Sequence, residues 1–136
     1  MSQANVEVVR REYERVNADY RVMTEEEREA FDPDYEFDAR DVAAGMGIIR
    51  GYDAAQEALH DYWDMFEGFH IELKEVLHAD ENRVVTAVRD GGRMKGSDAE
   101  VWNDLFHVWT FRAGKVARVS SHNDKERALE AAGLQE

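Results

Sequence analysis

One histidine lies inside an alternating apolar run and is well placed to move a proton. Between Glu100 and Arg112, alternation puts Leu105, His107, Trp109 and Phe111 on one side of an extended strand. Imidazole is the side chain that gains or loses a proton near neutral pH. His107 is therefore a candidate general acid or base if that side faces a cavity, and a hydrogen-bonded core histidine if it does not. In the following run, Ala117, Val119, Ser121 and Asn123 share a side, so Ser121 and Asn123 offer neutral hydrogen-bonding groups near it. Asp38 and Asp41 are candidate carboxylate helpers. Alternation aims Asp38 away from the side bearing Phe37 and Ala39, and Asp41, beyond the run, could point either way. Arg40 could hold a substrate carboxylate or pair with Asp38 and Asp41; Arg89 and Arg93 have similar options. Tyr13, Tyr20, Phe37, Tyr62, Trp63, Trp109 and Phe111 are candidate walls of a substrate pocket. Their helical or strand spacing is also that of ordinary core residues.

Metal and cofactor chemistry are not expected. His60 and Asp64 stand at i, i+4, and His70 and Glu72 share a strand side, but both pairs lie on polar faces and two ligands are too few. There is no glycine-rich phosphate loop after a strand and no serine elbow. The absence of cysteine excludes disulfides, thiolate metal sites and thiol catalysis.

Composition narrows the setting. A chain of 136 residues fits a single domain over residues 1–136 with one real core, and a hydrophobic fraction of 43% is that of a globular chain rather than a disordered one. The net charge of −13 repels phosphate backbones and anionic lipid, so neither nucleic acid nor membrane is expected as a partner. Met1 to Asn5 lacks a basic segment followed by an apolar run, and no apolar stretch nears the roughly 20 residues of a membrane span, so a cytoplasmic location is expected.

These residues need elements to place them. Val6, Val9, Tyr13, Val16 and Tyr20 step by three and four, which predicts a helix over Asn5 to Tyr20 with Arg10, Arg11, Glu14, Arg15 and Asp19 on the opposite face. Thr24 and Glu27 form a capping box for a short helix that ends near Phe31, since Pro33 disfavours a helical Asp32. Tyr35 to Asp41 alternates as a strand, and Ala43 to Gly47 reads as a loop. Asp53 is the expected N-cap of a helix carrying Ala55, Ala58, Leu59, Tyr62, Trp63 and Phe66, stopped by Gly68. From Phe69 the period becomes two. Strands are expected from Phe69, over Val84 to Arg89, Glu100 to Arg112 and Val116 to His122. Asp80-Glu81-Asn82 and Ala113-Gly114 read as turns, and Gly91, Gly92 and Gly96 as a bulge or loop. Asn123 or Asp124 caps a last helix that Gly133 stops. Successive strands behind grouped helices predict an α+β domain: a curved antiparallel sheet wrapped around the N-terminal helices as a cone, its open end a natural apolar pocket.

Four segments resemble the SnoaL-like branch of the nuclear-transport-factor-2-like superfamily. They are Phe31 to Asp38, Ile49 to Ala54, His107 to Val116 and Asp124 to Leu134. The resemblance implies a cofactor-independent acid–base enzyme of cyclase, isomerase or dehydratase type, acting on a hydrophobic carbonyl compound. Its alternatives are a non-catalytic binder of an apolar ligand and a protein-interaction module. It also implies a homodimer through the outer sheet face, where Trp102, Phe106 and Val108 would lie. The superfamily's steroid isomerase pairs an aspartate base with a tyrosine and a protonated acid that hold an oxyanion. In this chain the resemblance puts the base position on Ala39, which cannot take a proton, and the oxyanion-acid position on His107.

Overall fold

The computed structural model describes residues 2–43 and 45–134; Met1, Ala44 (within the expected loop), Gln135 and Glu136 lie outside them. Four helices and six strands follow the order α1 (Ser2–Asp19), α2 (Glu25–Glu29), β1 (Phe31–Asp38), β2 (Ile48–Arg50), α3 (Tyr52–Trp63), β3 (Phe66–Ala79), β4 (Arg83–Met94), β5 (Glu100–Arg112), β6 (Lys115–His122) and α4 (Lys125–Ala131). The strands form one open sheet, β2-β1-β6-β5-β4-β3. The expected α+β class is the observed one. β1 and β6, however, pair in parallel, while the other neighbours are antiparallel. The long chain between them supplies the crossover that a parallel pair needs, which adjacent-strand reasoning does not anticipate.

The helical stripe of α1 buries Val9, Tyr13 and Val16 on the concave side of the sheet. Arg15 departs from its expected exposed face. It is 9% exposed because α2 and α3 close over it: Glu12 holds Nε and Nη2 at 2.8 Å each, and Gln56 Oε1 takes Nη2 at 3.0 Å. The capping box of α2 is present, with Thr24 Oγ1 accepting from Glu27 N at 3.2 Å.

Several boundaries move. β1 begins at Phe31, and Pro33 sits where the β1–β6 register breaks between Phe31 and Glu36, so its missing N–H breaks no ladder bond to β6. The N-cap of α3 is Gly51 rather than Asp53, which instead pairs with Arg28. That helix ends at Trp63, and Phe66 and Gly68 belong to β3, where Gly68 (φ 71°) occupies a register shift. Gly91 and Gly92 are also strand residues rather than a loop. β5 approaches so closely that a Cβ on Gly91 would lie 1.9 Å from the Val101 carbonyl oxygen.

α4 packs on the convex face, N-capped by Asp124. Ala128 and Ala132 cover Val85 and Val108, with Phe106 beside them. Val108 is 2% exposed, and of the three residues expected on the outer sheet face as a dimer surface only Trp102 is exposed in the single chain. No helix among the described residues is long and apolar enough to cross a membrane.

Candidate functional site

The register assembles the concave face in rows. Phe37, Val119, Trp109 and Val84 lie side by side across β1, β6, β5 and β4; Ser121, His107 and Thr86 form the next row; Leu105, Val88 and Leu73 the next; and Asn103, Asp90 and Ile71 the last. α1 and α3 stand over these rows and leave a mostly apolar cavity of about 320 Å³, near the lower end for small-molecule sites.

Of the expected site residues, Tyr13, Phe37, Tyr62, Trp63, His107 and Trp109 line this cavity, as do Ser121 and Asn123. Ala39 lines it too and offers no proton acceptor. Phe111 does not line it; it is packed in the core beyond a register shift at Thr110. Tyr20 turns aside, bonding to Asp64 and packing on His60 and Trp63.

The two expected carboxylate helpers are elsewhere. Asp38 faces the outer side of β1, where Arg40 takes it in a fork (Nε to Oδ1 3.0 Å, Nη2 to Oδ2 2.9 Å) and Arg118 joins. The Arg40 hydrogen bonds hold its carboxyl below the usual aspartate range, so it is an ion-pair anchor and not a base. Arg40 is spent on the same pair and lies outside the cavity. Asp41 bonds to Arg127 Nη1 at 2.8 Å and to His122 Nδ1 at 2.9 Å, while His122 Nε2 meets Ser120 Oγ at 2.8 Å. That connectivity matches a serine nucleophile relay. Ser120 and His122 are nevertheless buried and belong to the outer face of β6, not to the cavity. The chain of bonds ties the segment after β1, whose Ala39, Val42 and Ala43 form part of the cavity wall, to β6 and α4.

His107 is engaged from one side. Its Nδ1 lies 2.8 Å from the Tyr13 hydroxyl, which also meets Thr86 Oγ1 at 2.8 Å and accepts from Trp109 Nε1 at 3.0 Å. Burial pushes the His107 pKa down to about 4, with His122 adding to the effect. The ring is therefore neutral at pH 7 and suits hydrogen bonding to a ligand oxygen better than proton abstraction. Burial also raises the Tyr13 hydroxyl far above its ordinary value, so it stays protonated. Replacing Tyr13 by Phe strands the Trp109 N–H, the Thr86 hydroxyl and one nitrogen of His107. We expect a loss of about 1–3 kcal/mol in urea unfolding; unchanged stability would show that these groups find other partners.

A carboxyl absent from the expected set completes the site. Asp90 is 4% exposed and lines the cavity in the row of Asn103. The Tyr62 hydroxyl reaches its Oδ1 at 3.2 Å, and Asn103 Nδ2 reaches Oδ1 at 3.4 Å and the Tyr62 hydroxyl at 3.2 Å. Burial raises its pKa, and these two long hydrogen bonds only partly oppose the rise. The signal was present in the sequence. Val84, Thr86 and Val88 alternate onto the concave face, and two more residues of the same strand reach Asp90. With Gly91 and Gly92 taken as a bulge or loop, the expected strand from Val84 to Arg89 stops one residue before Asp90, whereas β4 runs on to Met94.

No lysine or arginine among the described residues lines the cavity, and Arg15 beneath it is held by Glu12, Gln56 and the carbonyls of Tyr20 and Val22. His60 Nε2 donates to the Tyr20 carbonyl (3.0 Å), and Asp64 is taken by Tyr20 and Arg21. The site thus combines apolar walls with the polar groups His107–Tyr13, Asp90–Tyr62–Asn103, Ser121, Asn123 and the Arg15-bound pair Glu12 and Gln56.

The SnoaL-like domain model matches residues 9–119, which takes in most of α1, all of α3 and nearly all of the cavity-lining strands. The chain belongs to the SnoaL-like domain family. No curated protein matches it. Among solved structures it resembles Bal32a from a soil-derived mobile gene cassette at 22% identity, covering 96% of both chains with a TM-score of 0.75. It resembles TerC co-crystallised with polyporic acid at 21% identity, covering 96% of this chain and 97% of that one (TM-score 0.69). It also resembles SalBIII, an epoxide hydrolase/cyclase-like enzyme of pyran ring formation in salinomycin, at 18% identity, covering 88% and 90% (TM-score 0.68). At such identities these likenesses speak for the SnoaL-like fold alone.

Proposed function

We propose that this SnoaL-like protein is a cofactor-independent acid–base enzyme acting on an uncharged, apolar, carbonyl-bearing small molecule, with reactions of the cyclase, isomerase or dehydratase type. The observation that carries this reading is Asp90, a buried carboxyl of raised pKa facing a mostly apolar cavity; the other lining carboxyl, Glu12, is held by Arg15. Buried carboxyls of this kind occur where a proton must be taken and returned. TerC's polyporic acid and SalBIII's ring formation are consistent with the reading as properties of those proteins.

In this scheme the carboxylate of Asp90 takes a proton from carbon, and the carbonyl oxygen, gaining negative charge, is held by a neutral N–H of His107. Asp90 then returns the proton to the same or another carbon, so no redox partner is needed. His107 and Asn103 are four residues apart on β5, roughly 13 Å along a strand at ~3.3 Å per residue. A carbonyl held by His107 therefore presents to Asp90 a C–H several bonds away, which fits an extended conjugated ketone better than a simple one. The test is deuterium uptake from D2O into a panel of apolar ketones and bicyclic enones, followed by mass spectrometry. Catalysed uptake at the conjugated position supports the reading. Ligand binding without uptake favours the second reading, a non-catalytic binder, which Ala39 at the isomerase base position supports.

A further inference from the structure

The Tyr13 hydroxyl sits at the centre of three polar contacts, to Thr86 Oγ1 (2.8 Å), His107 Nδ1 (2.8 Å) and Trp109 Nε1 (3.0 Å). A phenol donates one hydrogen bond and accepts two, and an indole only donates. Trp109 thus fills one acceptor position. What is left is one donation and one acceptance, divided between Thr86 and His107.

Two arrangements satisfy the Tyr13 hydroxyl, the Trp109 N–H and His107 Nδ1. In the first, Tyr13 donates to His107 Nδ1 and Thr86 donates to Tyr13. The neutral imidazole then carries its proton on Nε2. In the second, His107 Nδ1–H donates to Tyr13, Tyr13 donates to Thr86, and Nε2 is a bare lone pair. Nε2 has no hydrogen-bond partner among the described residues, and His107 lines the cavity. The two arrangements differ in what the cavity meets: an N–H donor in one and an acceptor in the other.

We propose that Thr86 sets the ligand specificity of His107: because its hydroxyl can both give and take a hydrogen bond, the cavity edge of His107 serves carbonyl acceptors and O–H or N–H donors alike. Thr86 is fully buried, directly opposite His107 in the β4–β5 ladder, and does not line the cavity. It is a positioning residue that acts through Tyr13. Valine has the same shape but cannot accept the Tyr13 proton. With valine at this position Tyr13 has only His107 Nδ1 to donate to, and the first arrangement alone survives. This inference rests on the reading of His107 as the ligand-holding group.

The experiment records imidazole tautomers by long-range ¹H–¹⁵N NMR on the wild type, Thr86→Val and Thr86→Ser, free and with two bicyclic probes of similar size. 1-Indanone only accepts, and indole only donates. The wild type should show the Nε2–H tautomer with indanone and the Nδ1–H tautomer with indole. Thr86→Val should show Nε2–H alone in every state. It should bind indole about fivefold or more weakly, the loss of one hydrogen bond, while indanone affinity stays within about twofold. Thr86→Ser should behave as wild type. An Nδ1–H tautomer in Thr86→Val overturns the proposal. So does a wild type that keeps one tautomer with both probes, or an equal loss of both probes in Thr86→Val. No readout depends on turnover, so failure of the acid–base reading leaves this test standing.

Discussion

Asp90→Asn is expected to lower catalysed deuterium uptake by roughly 10² to 10⁴-fold, the usual contribution of a general base. The substitution preserves the shape of the buried group and its contacts with Tyr62 and Asn103. The protein should therefore stay folded, and its melting transition checks this directly. Asparagine cannot take a proton, so the loss should fall on the rate rather than on probe affinity. His107→Asn should behave differently. Because the imidazole holds the oxygen without accepting the proton in this account, its removal should weaken binding and rate together and should leave the acid limb of the pH–rate profile in place. An Asp90→Asn protein that retains wild-type uptake removes Asp90 from the mechanism.

The second large effect is on stability as the pH falls. An unfolded histidine titrates near 6.5, whereas burial holds His107 at about 4 in the fold. Between these values the unfolded chain binds a proton that the folded chain refuses. Stability from this residue is therefore complete above about pH 6.5, declines as the pH falls, and levels off below about 4. At pH 5 the loss relative to pH 7.5 is about 2 kcal/mol. Asp90 works in the opposite sense: its raised folded pKa means that the fold gains stability as the pH drops through that value. His107→Asn isolates the histidine contribution. In urea unfolding, the wild type should lose about 2 kcal/mol more than His107→Asn between pH 7.5 and 5. Parallel losses would show that the His107 ring accepts a proton in the fold as readily as out of it.

Much of this site was legible in local periodicity. The stripe of α1 placed Tyr13 in the core, and alternation along β5 and β6 placed His107, Trp109, Ser121 and Asn123 on one concave face. Period-based reading works there because both strands run through the cavity without a break facing it. It failed where tertiary contacts override local preference. Gly91 has a φ of 144° and abuts the Val101 carbonyl, so a glycine pair that suggests a loop is instead the condition for β5 to pair closely. That one misreading hid Asp90. Arg15 looks like part of a solvated helix face until α2 and α3 cover it, and nothing local foretells that cover. Asp38 was aimed outward correctly by alternation, but only the fold brings Arg118 from β6 against it. Val108 falls on the outer face by alternation, but its cover by α4 is a long-range event that local pattern does not show.

The central claim is that the fold keeps a proton-accepting carboxyl poised in an apolar cavity. It is tested most directly by ¹³C NMR titration of the aspartate carboxyls in the ligand-free protein, with Asp90→Asn assigning the resonance. The account predicts that the Asp90 carboxyl titrates clearly above the ordinary aspartate value of about 3.9. A midpoint at or below that value would contradict it.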